Sequence, residues 1–263
     1  MTLAGLASAA AVLAQPGWVF APPLTPAVLA TPGPAPTPSD AASIAPGADA
    51  VLLRAKLKSP APLIWVFTGD SITHGAKWLG RERSYPEIIQ ERIRWELGRM
   101  RDIVINSGIS GENAAGLLAD FEWRVLQFKP SVVSIMIGMN DCSSGQSGLA
   151  RYEGAVREMI RRVRAAGAIP ILNRTNPLLG GTRSQRGENL PAYNEVIARL
   201  AVSENVLLVD HWKHWAEAAP SPEKLRAWMA DDIHPNAAGH RQFAIQWCKV
   251  AGIYSPAAPA CRP

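Results

Sequence analysis

No charged side chain occurs among the first 39 residues, and the 263-residue chain holds only three cysteines, four tyrosines and five phenylalanines. Between Pro22 and Ala50 the Pro/Ala/Thr/Ser composition offers too little apolar bulk to bury a core, so this stretch reads as a linker. The apolar stretch from Leu3 to Ala14 is too short to span a bilayer, which argues against stable membrane insertion. It ends in Val12-Leu13-Ala14, a small-residue pattern like a signal cleavage site, although the basic n-region of a secretory signal is missing. The expectation is a secreted or periplasmic protein. The cysteines Cys142, Cys248 and Cys261 lack CxxC spacing, which argues against a zinc knuckle. Cys248 and Cys261 either pair as a disulfide that ties down the C-terminal tail or stand as two buried thiols; Cys142 reads as a packing residue. No aromatic-basic module accompanies the arginine runs at 92, 94, 99 and 101 or at 157, 161, 162 and 164. The net charge of +5 therefore marks solvated helix faces rather than a nucleic-acid site.

What is present is an ordinary globular composition, 48% hydrophobic and 19% charged. From Pro62 onward short β-branched runs alternate with longer helical patterns, the signature of βαβ units and a parallel sheet. The expected strands are Leu63–Thr68, Asp102–Asn106, Val132–Ile137, Ile169–Asn173 and Val206–Asp210. Most are continuous apolar runs, as strands covered on both faces must be. Ser84-Tyr85-Pro86-Glu87 is a capping box ahead of an apolar stripe at Ile88, Ile89, Ile93 and Leu97. Further helices are expected over Tyr152–Ala166, Leu190–Ala201 and Ala237–Val250. Right-handed crossovers then give a three-layer α/β/α sandwich with a five-stranded parallel sheet over residues 61–254. An N-terminal segment (1–60) precedes it and a tail (255–263) follows. Ligands of such sheets sit beyond the carboxyl ends of the strands.

The polar residues gather at those ends. Ser71 follows the first strand in Gly69-Asp70-Ser71, where a serine can point into the crevice; alone, the turn reads more readily as a helix cap. The second strand runs into Ser107-Gly108-Ile109-Ser110-Gly111-Glu112-Asn113 and the third into Gly138-Met139-Asn140-Asp141. A glycine amide can approach a substrate closely, and a carboxamide offers a neutral donor. With the Ser71 amide, Gly111 and Asn140 could form a three-donor oxyanion hole. Near the C-terminus, Asp231-Asp232-Ile233-His234-Pro235-Asn236 precedes a helix. Histidine is the usual base for a serine, and an aspartate three residues earlier in a tight turn can reach its Nδ1. Asp231 fits that role, with Asp232 as its neighbour and competitor.

Together these blocks resemble the SGNH/GDSL hydrolases. Gly69-Asp70-Ser71 matches the nucleophile block, Gly111 the glycine block, Asn140 the asparagine block, and Asp231 with His234 the last. The resemblance covers residues 63 to 251; Asp232 departs from it, standing where the family commonly has a small residue. It implies a flavodoxin-like sheet in the order 2-1-3-4-5 and ester hydrolysis by a serine acyl-enzyme, with no cofactor and no metal. Asp70, Trp78 and Asn176 are the expected substrate contacts. The expected partner is a small-molecule or glycan ester, with a short acyl group such as acetyl.

Three other readings compete. A lysophospholipase- or lipase-like esterase would share the same blocks. A metal hydrolase could draw ligands from Asp210, His211, His214, Asp231, Asp232 and His234, but leaves Ser71, Gly111 and Asn140 without a job. A non-catalytic carbohydrate-binding module could use the nine tryptophans, among which Trp78 and Trp123 are expected to border the cleft. The stretch from Thr175 to Asn189, with Gly180, Gly181, Arg183 and Arg186, reads as a loop over the site whose arginines either meet an anionic substrate or are simply solvated.

Overall fold

A computed structural model describes residues 47–180 and 184–263. The expected linker through residue 46 and the signal-like stretch lie outside the described residues. Five parallel strands form one sheet in the order β2-β1-β3-β4-β5: β1 (Ile64–Gly69), β2 (Ile103–Asn106), β3 (Val132–Met136), β4 (Ile169–Asn173) and β5 (Leu207–Val209). Each lies within a residue or two of its expected span, and the order matches the one implied by the family resemblance. The middle strands β1, β3 and β4 are almost wholly buried, which is why they read as unbroken apolar runs, whereas Ile103 on the edge strand β2 is exposed. The register sets Phe67 beside Asn106 and Gly69 beside Met136, so the carboxyl ends of β1, β2 and β3 finish side by side.

Helices close both faces. α1 (Ala48–Lys58) comes first; α2 (Ser71–His74), α3 (Ala76–Leu79) and α4 (Tyr85–Glu91) follow β1; α5 (Ala114–Ala119) and α6 (Phe121–Arg124) follow β2. α7 (Leu149–Ala165) follows β3 and α8 (Gln185–Ser203) follows β4, while α9 (His211–Ala218), α10 (Pro222–Arg226) and α11 (Ala237–Val250) follow β5. α4 packs on α11, and α7 packs on α5 and α8. The capping box is formed: the Glu87 carboxylate accepts from the Ser84 N–H and hydroxyl, both at 2.7 Å. Trp65, Phe67, Tyr85, Phe243 and Trp247 fill the core near α11. Full burial of each such side chain stabilises the fold by about 1.5–3 kcal/mol. The Trp247 indole N–H and the Asn173 amide both donate to the Ser134 hydroxyl (3.0 and 2.9 Å), which links β3, β4 and α11 through one buried oxygen.

Two expectations change, and one alternative left open is decided. α1 begins inside the stretch read as linker; Leu53 is buried, and Asp49 pairs with Arg164 of α7 at 2.9 Å. The Ala/Pro bias upstream hides this helix, whose apolar signal is weak because Val51 and Leu52 face solvent. α8 begins at Gln185, not Leu190, because the Ser184 hydroxyl caps the Gly187 N–H at 3.1 Å. The expected loop from Thr175 is therefore partly helix, and Thr175, Asn176, Leu178 and Leu179 are buried. Cys248 and Cys261 are buried free thiols and are not joined in a disulfide. The tail is held by packing and by the Ala260 N–H, which donates to Glu96 at 2.9 Å. Among the described residues no helix is long and apolar enough to cross a membrane.

Candidate active site

β1 delivers its chain end into a short helix whose first residue is Ser71. Asp70 is the N-cap: its carboxylate accepts the Ile72 N–H at 3.0 Å, which fixes the turn and aims the next side chain outward. The Ser71 hydroxyl lies 3.0 Å from His234 Nε2. Asp70 itself is 1% exposed. Burial pushes its carboxyl up to about 7, with the Ile72 N–H opposing and Asp141 adding to the rise. It is a buried cap beneath the site, not the substrate contact the sequence suggested.

His234 sits in the loop that enters α11. Asn236 caps that helix, accepting from the Ala238 and Gly239 N–H groups (3.0 and 3.2 Å), and its amide donates back to the Ala227 and Met229 carbonyls. The loop is thereby tied at both ends. The Asp231 carboxylate lies 2.9 and 3.0 Å from His234 Nδ1 and also accepts the His234 and Ile233 N–H groups at 2.7 and 2.8 Å. Burial raises the Asp231 carboxyl, but these donors outweigh it and hold it below the usual range. Asp232 contributes only its carbonyl, which accepts the Leu179 N–H at 3.0 Å. The geometry thus separates the two aspartates. Burial depresses the His234 imidazole below its ordinary value, Asp231 opposing, so it is mostly neutral near pH 7.

Trp78 covers this histidine: the rings stack at 3.4 Å between centroids, 13° from parallel. Trp123, by contrast, is 66% exposed on α6 and makes no ring contact among the described residues. Asn176 is fully buried. Its amide donates to the Ile233 and Pro177 carbonyls, each at 3.0 Å, so it braces the histidine loop and corrects the expectation of a substrate contact.

The donors converge from β2 and β3. Gly111 has φ +84°, a left-handed turn that favours glycine, and the space where a Cβ would stand is open. Among the described residues no acceptor is bonded to the Gly111 or the Ser71 N–H. Asn140 donates one amide hydrogen to the Glu112 carbonyl at 2.8 Å, leaving its second uncommitted, and Arg186 at 3.4 Å from its Oδ1 fixes which way the carboxamide faces. Asp141 links the two loops by accepting the Ala114 N–H at 2.9 Å, and burial pushes its carboxyl up to about 6. Sequence reasoning missed Arg124 and Glu112, which brace these loops, because nothing local distinguishes them from surface charges.

The alternative metal ligands are dispersed into other tasks. His211 is fully buried with both ring nitrogens unpartnered and packs on Phe243; His214 bonds Gln242; Asp210 caps α9 and pairs with Arg174. Among the described residues no group of three or more His, Cys, Asp or Glu side chains is arranged to hold a metal ion.

Known proteins resemble this chain in sequence and fold. The pattern of the GDSL-like Lipase/Acylhydrolase family matches residues 67–242. An acetylxylan esterase of Geobacillus stearothermophilus is 28% identical over 207 residues, 72% of this chain and 93% of that protein. Esterase TesA of Pseudomonas aeruginosa is 29% identical over 168 residues, 64% and 77% of the two chains. A crystal structure of the Geobacillus acetylxylan esterase superposes with a TM-score of 0.64 at 25% identity, covering 75% of this chain and 97% of that one. The chain belongs to the GDSL-like lipase/acylhydrolase family and is a carboxylic ester hydrolase.

Proposed function

We propose that the protein removes short acyl groups, acetyl foremost, from carbohydrates through an acyl-enzyme on Ser71. The observation that carries this reading is the continuous relay from Ser71 Oγ to His234 Nε2 (3.0 Å) and from His234 Nδ1 to Asp231 (2.9 Å), beside two unbonded backbone amides. The similar acetylxylan esterase supports the acetyl and carbohydrate parts. Catalytic mutants of that enzyme replace a serine, an aspartate and a histidine, the last two spaced as Asp231 and His234 are.

In this mechanism His234 takes the Ser71 proton as the hydroxyl attacks the ester carbonyl. The Ser71 and Gly111 amides and the Asn140 carboxamide hold the oxyanion. His234 then protonates the leaving sugar hydroxyl, and a water, deprotonated in turn, releases acetate. Asp231 keeps the imidazole in the right tautomer throughout. Trp78 flanks the cleft with an aromatic surface for a sugar ring. The protein acts outside the cytoplasm in this reading, which the uncharged N-terminal stretch supports. So does a similar Bacillus subtilis lipoprotein, 30% identical over 174 residues and covered over 71% of its length.

The test is an acyl-chain series run beside acetylated xylan, with Ser71→Ala as control. A steep preference for acetyl that vanishes in Ser71→Ala is expected. A medium-chain optimum would replace the acetylesterase reading with a lipase-like one, and undiminished turnover by Ser71→Ala would refute the nucleophile.

A further inference from the structure

Arg124, at the end of α6, is only 1% exposed. Burying a guanidinium is costly unless its N–H groups are used, so its bonds indicate its purpose. Its Nη2 donates to the Gly69 carbonyl (3.0 Å) and the Ser107 carbonyl (2.9 Å), Nε to Ser107 again (3.3 Å), and Nη1 to Glu112 Oε2 (2.7 Å). Gly69 ends β1 just before Ser71. Ser107 leaves β2 toward Gly111. Glu112 follows Gly111, and its carbonyl is the acceptor that Asn140 holds at 2.8 Å. One rigid planar group therefore binds the chain ahead of the Ser71 and Gly111 amides directly, and reaches Asn140 indirectly, through Glu112, whose carbonyl accepts the Asn140 amide. A lysine ammonium, a single point at the end of a flexible stem, cannot span those acceptors.

We propose that Arg124 is a positioning residue for ester hydrolysis, its fork of hydrogen bonds fixing the Ser71 amide, the Gly111 amide and the Asn140 carboxamide on one oxygen. This rests on the oxyanion-hole reading above. The guanidinium itself touches no reacting atom. A purely structural staple would lower stability and leave the kcat of the folded fraction intact; a positioning residue lowers kcat of fully folded enzyme.

A double-mutant cycle of Arg124→Lys with Asn140→Ala separates these, measured on an acetyl ester at a temperature where circular dichroism shows every variant folded. Arg124→Lys is expected to lower kcat roughly 30–100-fold, approaching the loss of one oxyanion donor, with KM within about 3-fold. In the Asn140→Ala background the same change is expected to cost under about 5-fold, because the hole it aligns is already broken. A folded Arg124→Lys enzyme with near wild-type kcat, or an equal loss in both backgrounds, would overturn the proposal. Should Asn140→Ala alone leave kcat unchanged, the oxyanion-hole reading itself falls, and the proposal with it. If Arg124→Lys does not fold, Glu112→Gln, which keeps an amide oxygen acceptor but removes the ion pair, takes its place. A kcat loss of about 5-fold or more is then expected, and none overturns the proposal.

Discussion

Removal of the Asn140 carboxamide probes the chemistry most directly. In Asn140→Ala the bond to the Glu112 carbonyl (2.8 Å) and the second amide N–H, the proposed oxyanion donor, are both lost, while the Ser71 and Gly111 amides remain. One missing donor of this kind costs about 10²–10³ in kcat, or roughly 2.7–4 kcal/mol of transition-state stabilisation. The loss should fall on kcat, with KM changed by less than about 3-fold, because the donor meets the tetrahedral oxygen more strongly than the planar carbonyl. Asn140→Asp should be worse than Ala. It sets a carboxylate against the Glu112 carbonyl and the oxyanion, where like partial charges repel. Initial rates on 4-nitrophenyl acetate and an acetylated xylo-oligosaccharide would measure both variants. A kcat loss below about 5-fold, a loss expressed only in KM, or an Asn140→Asp enzyme faster than Asn140→Ala would each refute the assignment.

The paired aspartates give a second test: Asp231→Ala should lower kcat by about 10⁴, as removal of a histidine-orienting carboxylate does, and Asp232→Ala by no more than about 2-fold, so equal losses would contradict the geometry. The base must be neutral to act, and burial depresses His234. The acid limb of kcat/KM should therefore have its midpoint below the ordinary histidine value, and Trp78→Ala, by admitting water to the imidazole, should move it upward. A pH–rate profile that places the wild-type midpoint above the ordinary value would contradict this. Stability responds to acid through His211, whose pKa burial depresses from 6.5 to about 3. Its stabilising contribution is complete above pH 6.5 and is lost as pH falls from there toward 3, because only the unfolded chain takes up the proton. Replacing it by Phe, which also removes two unpartnered buried nitrogens, should make the stability loss between pH 7 and pH 5 smaller by about 2 kcal/mol in urea unfolding. An identical loss in both proteins would show that His211 does not titrate as its burial requires.

Much of the fold was legible because parallel strands buried on both faces must be apolar throughout. Val132–Met136 and Ile169–Asn173 can be read from composition alone. The elements that escaped are those whose signal is weak or overridden. α1 follows an Ala/Pro-rich stretch in the sequence, and the first turn of α8 is announced only by the Ser184 cap. Ser71, Gly111 and Asn140 stand out as candidates because each follows the carboxyl end of a strand, and Asp231 with His234 because they lie three residues apart in the turn before α11. Asp70 and Asn176 were misjudged because polarity near a site does not say which way a side chain faces. Both are buried, one capping α2 and the other bracing the histidine loop.

The chain's pattern of apolar runs and turn residues specifies the order of strands and helices, and with it which loops share the carboxyl edge of the sheet. It also marks the candidate reacting groups, since chemistry depends on residue type and those types occur at strand ends and in the turn before α11. Distance and burial are another matter, for they arise from segments far apart in the chain. The 3.0 Å contact between Ser71 and His234 joins residues 163 positions apart, and the choice of Asp231 over Asp232 depends on the bend of one turn. The fork of Arg124 acquires its meaning only when β1, β2 and the Glu112 turn are brought around it, because a guanidinium shows its partners only after water has been excluded and its N–H groups must find carbonyls.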